Sequence, residues 1–85
     1  MNIRNHFPTE ELQKRDAAHH LHPFSAQDDL AKKGSKIITS AHGVYVFDSN
    51  GEQILDAMAG LWCVNIGYGR EELAQAAERQ MRELP

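Results

Sequence analysis

The sequence contains one cysteine and no long apolar run, and each shortage excludes a class of protein. A single cysteine, Cys63, cannot form a disulfide bond within the chain, which excludes a disulfide framework. No apolar run approaches the length of a membrane span, and the first residues lack the apolar segment of a secretory leader. We therefore expect a cytoplasmic protein without a membrane partner.

An excess of positive charge is also missing. The 9 basic and 12 acidic residues give a formal net charge of −3, which offers no electrostatic reason to bind nucleic acid. The negative excess lies in residues 51–85, where the solvated face of a helix accounts for it. With 85 residues, the chain is long enough for one small domain with a modest core.

Residues 1–35 are predicted to form an arm with two short helices. Thr9 is placed to cap a helix over residues 10–20, and Pro23 ends that segment. Ser25 is placed to cap a second helix that Gly34 closes. The arm has few apolar residues, so we expect it to lie against another part of the protein.

Residues 36–57 are predicted to form an antiparallel meander of three short strands. Two runs, residues 36–41 and 43–48, are rich in β-branched and aromatic residues. The Asn-Gly pair in residues 48–51 is typical of a tight hairpin turn, and residues 53–57 form the returning strand.

Residues 70–84 are predicted to form an amphipathic helix. Its apolar positions share one face and are Leu73, Ala77, Met81 and Leu84. Glu78 and Arg82 have the spacing of an ion pair along that helix. A three-stranded meander covers only part of such a stripe, so another surface is needed to cover the rest.

The segment that joins the sheet to this helix, residues 56–70, carries most of the functional information. It places the only tryptophan, Trp62, beside Cys63 in a run with three glycines. Glycine permits tight bends, and tryptophan offers a large flat apolar wall, which is typical of a loop that forms a site. On residue types alone, a packed turn with Trp62 in the core is the alternative.

Other residues that could carry chemistry favour structural explanations. Three histidines, His19, His20 and His22, lie near Asp16, but their spacing does not match a zinc site. Cys63 has no identifiable base beside it and is expected to pack as a small apolar residue.

Two further patterns also favour structural explanations. The lysines that could form a Schiff base lie in a charged stretch and are expected to be solvated; they are Lys32, Lys33 and Lys36. Residues 67–69 (GYG) precede a helix but match neither phosphate-binding pattern that uses glycines. The residues alone therefore predict a pocket wall without catalytic machinery.

Four segments follow one another in an order that resembles a known family. They are residues 18–24 (AHHLHPF), 43–48 (GVYVFD), 50–56 (NGEQILD) and 57–70 (AMAGLWCVNIGYGR). From Asp16 to Pro85 the sequence resembles the N-terminal region of class III pyridoxal-phosphate-dependent aminotransferases. Residues 61–65 and the His-Pro-Phe arm are similar to the ω-amino acid or amine:pyruvate transaminase branch.

The resemblance implies an α+β fold of a fold-type I enzyme. Residues 1–35 would be its helical arm, and residues 36–85 an incomplete small domain with sheet, glycine-rich loop and amphipathic helix. It implies that Phe24, Leu61, Trp62 and Cys63 line the substrate pocket near a homodimer interface. The implied reaction moves an amino group from an ω-amino acid or amine to a keto acid, such as pyruvate, through pyridoxal 5′-phosphate.

The resemblance also implies that the catalytic groups lie elsewhere. The family's Schiff-base lysine, pyridine-nitrogen partner and phosphate-binding turn lie downstream of anything that matches this chain. We therefore expect a segment of a longer enzyme that lacks the large cofactor domain, binds no cofactor alone and is inactive alone. The alternatives are a self-contained interaction module that binds a partner chain through Trp62 and the stripe of residues 73–84, and a small histidine-based metal protein.

Overall fold

The computed structural model describes residues 8–85 and has an α+β fold, as the sequence predicts. Residues 1–7, which begin the predicted arm, lie outside the described residues. The elements in chain order are α1 Thr9–His19, α2 Gln27–Lys33, β1 Ile38–His42, β2 Tyr45–Asp48, β3 Gln53–Leu55, α3 Ala59–Trp62 and α4 Glu71–Glu83.

Both arm helices are present, but both predicted N-caps are wrong. Thr9 lies inside the first turn of α1, and Pro8 occupies the cap position without a side-chain hydrogen bond. Ala26 occupies the cap position of α2, while the Ser25 hydroxyl donates to the Pro23 carbonyl at 3.0 Å. The serine hydroxyl thus binds a nearer carbonyl oxygen instead of the helix end.

The three strands form one antiparallel sheet in the order β1-β2-β3, which confirms the predicted meander. In the central strand, Val46 is paired with Ala41 on one side and with Ile54 on the other. The register of β1 shifts between Ile38 and Ser40, where the strand is irregular.

The turn between β2 and β3 closes around the Asp48 carboxylate, which is only 5% exposed. Asp48 Oδ1 accepts the backbone N–H groups of Asn50 at 2.9 Å and Glu52 at 2.8 Å. The Glu52 N–H above all lowers the pKa of Asp48 below its ordinary 3.8, and the Lys36 ammonium at 3.5 Å acts in the same direction. The predicted Asn-Gly turn is confirmed, and a buried charge organises it.

The arm lies against this same turn. The Thr9 hydroxyl donates to Asn50 Oδ1 at 3.2 Å, and Gln13 Nε2 donates to the Ser35 carbonyl at 2.8 Å. Gly34 closes α2 as predicted, with φ of +79°. A Cβ atom there would lie 2.7 Å from the Gln13 side chain, so glycine permits the close approach of the arm.

The described residues build no apolar core. Among residues 8–85 the buried side chains are polar, Ser35 and Asp48, and no apolar side chain is buried. The radius of gyration is 15.5 Å, whereas a compact domain of this length has about 12 Å. The accessible surface is 7386 Å², against about 5,100 Å² for a compact monomer of this mass. Much apolar surface is therefore uncovered.

Part of that uncovered surface follows α4, which is one residue shorter at each end than predicted. Arg82 and Glu78 form the expected ion pair at 3.0 Å. The apolar stripe faces solvent, with Leu73, Met81 and Leu84 all exposed. In the part of the chain that the structure describes, no helix combines the length and hydropathy needed to span a membrane.

The 85-residue chain alone is expected to melt without a sharp transition, because it buries no apolar side chain among residues 8–85. Circular dichroism on heating measures the transition, and binding of an apolar dye measures the exposed apolar surface. A cooperative melt of a dye-free monomer would contradict this expectation and favour the self-contained module.

Candidate functional site

The segment after β3 contains a left-handed turn, where the sequence predicted only a glycine-rich loop. Within α3, the φ angles are +50° at Ala59, +60° at Gly60, +62° at Leu61 and +71° at Trp62. This conformation costs about 1–2 kcal/mol for each residue that carries a Cβ atom. A run of such residues persists only where surrounding contacts impose it.

Asp56 supplies the contacts that hold this turn. Its Oδ2 atom accepts the Gly60 N–H at 3.0 Å and the Tyr68 hydroxyl at 2.6 Å. The Leu61 N–H donates to the Met58 carbonyl at 2.9 Å and closes the first part of the turn. One carboxylate therefore binds both the turn and a residue at the far end of the loop.

Gly60 is the position of the turn that admits no side chain. A Cβ atom there would lie 2.7 Å from Val64 and 2.8 Å from the sulfur of Cys63. The Cys63 thiol donates to the Gly60 carbonyl at 2.9 Å. Cys63 therefore contacts the turn through its thiol, although the residue is exposed.

Tyr68 connects the loop to the sheet. Tyr68 and Gly43, which lies between β1 and β2, exchange two backbone hydrogen bonds of 2.8 and 3.1 Å. Asp56 also donates its N–H to the Val44 carbonyl at 2.9 Å. These bonds bring both partners of the Asp56–Tyr68 contact to one end of the sheet. The glycine-flanked Tyr68 therefore serves loop closure.

The sequence did not single out this contact as a functional feature. Its available signals were an aspartate directly after a strand and a tyrosine between two glycines. Neither pattern predicts that the two side chains contact each other, because the residues are 12 positions apart in sequence.

At neutral pH the Asp56 carboxylate is ionised and the Tyr68 hydroxyl keeps its proton, so the hydrogen bond between them is present. The Tyr68 hydroxyl above all lowers the pKa of Asp56 below its ordinary 3.8, and the Gly60 N–H adds to this effect. The same bond raises the pKa of Tyr68 above 10.0, so Tyr68 remains a donor. Because the folded-state pKa of Asp56 is depressed, its stabilising effect is present above pH 3.8 and is lost as the pH falls through the lowered value.

The turn directs its large apolar side chains outward. Trp62 is 91% exposed and Leu61 is 68% exposed. The alternative with Trp62 packed in the core is therefore wrong for this chain, because the described residues leave the indole almost uncovered. The result is an apolar surface on a backbone that local contacts hold in place.

Phe24, on the arm, also combines a positive φ angle with an exposed apolar side chain. Its φ angle is +53° and its side chain is fully exposed. Among residues 8–85, the non-glycine residues with positive φ are Phe24, Ala59, Leu61 and Trp62. They include three of the four residues predicted to line a pocket. Leu61, Trp62 and Cys63 are contiguous, whereas Phe24 does not stack on Trp62 in the described part of the chain.

The remaining candidates make structural contacts. Among residues 8–85, no group of three or more His, Cys, Asp or Glu side chains could hold a metal ion. His22 Nε2 lies 2.7 Å from the Asp16 carboxylate. The Lys36 ammonium lies 3.0 Å from Glu52, and this bond above all raises the pKa of Lys36 above 10.5. A lysine that forms a Schiff base instead needs a lowered amine pKa.

Replacing Tyr68→Phe is expected to raise the pKa of Asp56 toward 3.8, because it removes the hydrogen bond that lowers this pKa most. Carboxyl carbon NMR during an acid titration measures this pKa. Tyr45→Phe is the matched control, since no hydrogen bond between Tyr45 and Asp56 exists in the described residues. An unchanged Asp56 titration in Tyr68→Phe would show that the contact does not act on the carboxylate.

A sequence profile of the family described as Aminotransferase class-III matches residues 28–85. The chain is 65% identical over 77 residues to the putrescine–pyruvate aminotransferase of Pseudomonas aeruginosa. That alignment covers 91% of this chain and 17% of the Pseudomonas protein.

Solved structures of two transaminases share the fold. An (S)-enantioselective ω-transaminase from Thermomicrobium roseum has a TM-score of 0.86 and 45% identity, over 92% of this chain and 17% of that chain. An ω-transaminase from Pseudomonas jessenii in complex with PMP has a TM-score of 0.81 and 36% identity, over 87% of this chain and 16% of that chain.

The chain spans about one sixth of the length of these proteins, with shares of 16% to 17%. The match begins in α2 and includes the sheet, the left-handed turn and α4. Together, the profile, the relative and the shared fold show that the chain belongs to the class III aminotransferases, in their ω-transaminase branch.

Proposed function

We propose that this chain is the N-terminal segment of a transaminase that moves an amino group from an ω-amino acid or amine to pyruvate. Within it, Phe24, Leu61, Trp62 and Cys63 line the part of the substrate pocket that faces the amine donor. This assignment as a pocket wall is supported by one observation: Phe24, Leu61 and Trp62 each combine a left-handed backbone with an exposed apolar side chain. The reaction is supported by the 65% identity to a putrescine–pyruvate aminotransferase.

The wall residues select the donor without taking part in proton transfer. Phe24, Leu61 and Trp62 carry no titratable group, and the Cys63 thiol is bonded to the Gly60 carbonyl. Large apolar side chains exclude water and stabilise a bound apolar donor by about 25 cal/mol for each Å² of apolar surface that they cover. The turn holds this surface in place before the donor binds. A mobile wall would lose side-chain entropy on binding, and this loss would weaken the affinity for the donor.

Class III aminotransferases in general depend on pyridoxal phosphate, which supplies the electron sink for amino-group transfer. Lys36 does not fit a Schiff base to that cofactor. A Schiff-base lysine needs a lowered amine pKa, whereas Glu52 and Asp48 hold the Lys36 amine protonated. We infer that the cofactor is bound by residues outside this segment, in the rest of the parent enzyme.

The proposed organisation of the parent follows from the same reasoning. Residues 1–35 form an arm, and residues 36–85 begin a small domain that a large cofactor domain completes. The parent is proposed to be a cytoplasmic homodimer. The exposed stripe of α4 supports the presence of a further domain, because that stripe needs a covering surface.

A second candidate function rests on the same stripe. A self-contained module could bind a partner chain through Trp62 and the apolar face of α4, since both are exposed. The melting experiment on the isolated chain separates the two candidates. A stable monomer favours the module, and an unstructured or aggregating chain favours the segment of an enzyme.

The full-length protein is expected to form alanine from putrescine and pyruvate in the presence of pyridoxal phosphate. Liquid chromatography of the products measures alanine and, with 2-oxoglutarate as acceptor, glutamate. The 85-residue chain alone, under the same conditions, is expected to form neither. Absence of transfer from the full-length protein, or a preference for 2-oxoglutarate, would contradict the proposed reaction.

Trp62→Ala in the full-length protein is expected to raise KM for a phenyl-bearing amine about tenfold, which is the effect of losing apolar contact in a pocket. KM for pyruvate should change little, since the wall faces the donor. Steady-state kinetics with each substrate varied in turn measure both constants. Val44→Ala, at an exposed apolar residue between β1 and β2, is the control. Equal changes in both KM values would speak against a donor wall.

A further inference from the structure

We propose that the hydrogen bond between Asp16 and His22 positions Phe24, and thereby sets the donor preference of the enzyme. This inference rests on the proposed function, because it takes Phe24 as a wall of the donor pocket. Asp16 and His22 touch no substrate in this proposal. They act through the backbone of the turn that carries the Phe24 ring.

The Asp16–His22 hydrogen bond joins α1 to the segment that follows it. His22 Nε2 lies 2.7 Å from one Asp16 carboxylate oxygen and 2.9 Å from the other. The two side chains are only 27% and 21% exposed. On the same helix, Arg15 and Glu11 form a pair whose side chains are 70% and 53% exposed. Water competes less for a sheltered hydrogen bond than for an exposed one, so the Asp16–His22 contact is the stronger constraint.

Polar contacts hold the chain on both sides of Phe24. The His22 carbonyl accepts a hydrogen bond from Gln27 Nε2 at 2.6 Å. The Ser25 hydroxyl donates to the Pro23 carbonyl at 3.0 Å. His22 therefore uses its ring to bind α1 and its carbonyl to bind α2, directly before the turn.

Burial does not explain the conformation of Phe24. Its side chain is fully exposed and its φ angle is +53°, which is unfavourable for a residue with a Cβ atom. Among residues 8–85 no side chain buries the Phe24 ring, so within this segment the flanking polar contacts hold the turn. From the turn, hydrogen bonds run through His22 and Asp16 to α1, and from Gln13 of α1 to Ser35, which lies between α2 and β1.

Among residues 8–85, the ionisable groups that share the surroundings of His22 lie on α1, on the segment after it and on α2. Asp16 faces it from α1, and the His20 ring lies 4.3 Å away between centroids. Asp28 of α2 lines the same cavity of 290 Å³. The bond from His22 lowers the pKa of Asp16 below 3.8, which keeps Asp16 ionised at neutral pH.

The test uses the full-length enzyme and the ratio of kcat/KM for 1-phenylethylamine to kcat/KM for propan-2-amine. Asp16→Ala is expected to lower this ratio about fivefold, an effect within the range of one apolar pocket contact. Phe24→Ala should lower it at least as much. The double variant should be no worse than Phe24→Ala alone, because residues that act through one another are not additive. His22→Gln, whose amide can still donate to Asp16, should retain most of the ratio.

Arg15→Ala is the matched control, since it removes an ion pair of the same helix that does not reach Phe24. The backbone NMR chemical shifts of Phe24 and Ser25 depend on the φ and ψ angles of the turn and provide a readout apart from activity. They should move in Asp16→Ala and in His22→Ala but not in Arg15→Ala. Unchanged shifts, or losses that add in the double variant, would overturn the positioning role. If Phe24→Ala leaves the ratio unchanged, the wall role is wrong, and the chemical shifts alone decide whether Asp16 holds the turn.

Discussion

The Asp48 carboxylate makes the contact on which the rest of the structure depends. It is buried and binds two backbone N–H groups, so it fixes the turn that sets β2 against β3. The arm meets the sheet at this turn through Thr9 and Asn50. No buried apolar side chain among residues 8–85 takes over this role. A buried charge, and not a hydrophobic core, therefore relates the arm to the sheet.

The order of elements could be predicted because their signals are local. Strand alternation and the Asn50-Gly51 turn act over a few residues, and both gave the meander that the structure contains. The two predicted caps failed for a reason that is also physical. The Thr9 hydroxyl contacts a turn more than 35 residues away, and Ser25 bonds a neighbouring carbonyl, so each hydroxyl has a partner that competes with the helix end.

The residue types of the site could be predicted, but its backbone could not. Trp62 beside glycine indicated an apolar wall, and an exposed indole is what the structure has. The left-handed run depends on Asp56, Tyr68 and the pairing of Gly43 with Tyr68. These contacts connect distant positions, and no pattern within a short window specifies them.

The left-handed turn also bears on how such enzymes diversify. Its conformation is imposed by Asp56 and by backbone bonds, while the Trp62 side chain has almost no neighbours within the chain. Exchanging that side chain therefore removes little packing from this segment, so the cost to stability is small. β-Branched residues are the exception, because they tolerate positive φ poorly. Under the proposed wall role, single substitutions at Trp62 would change the surface that faces the donor while the backbone beneath it stays constant.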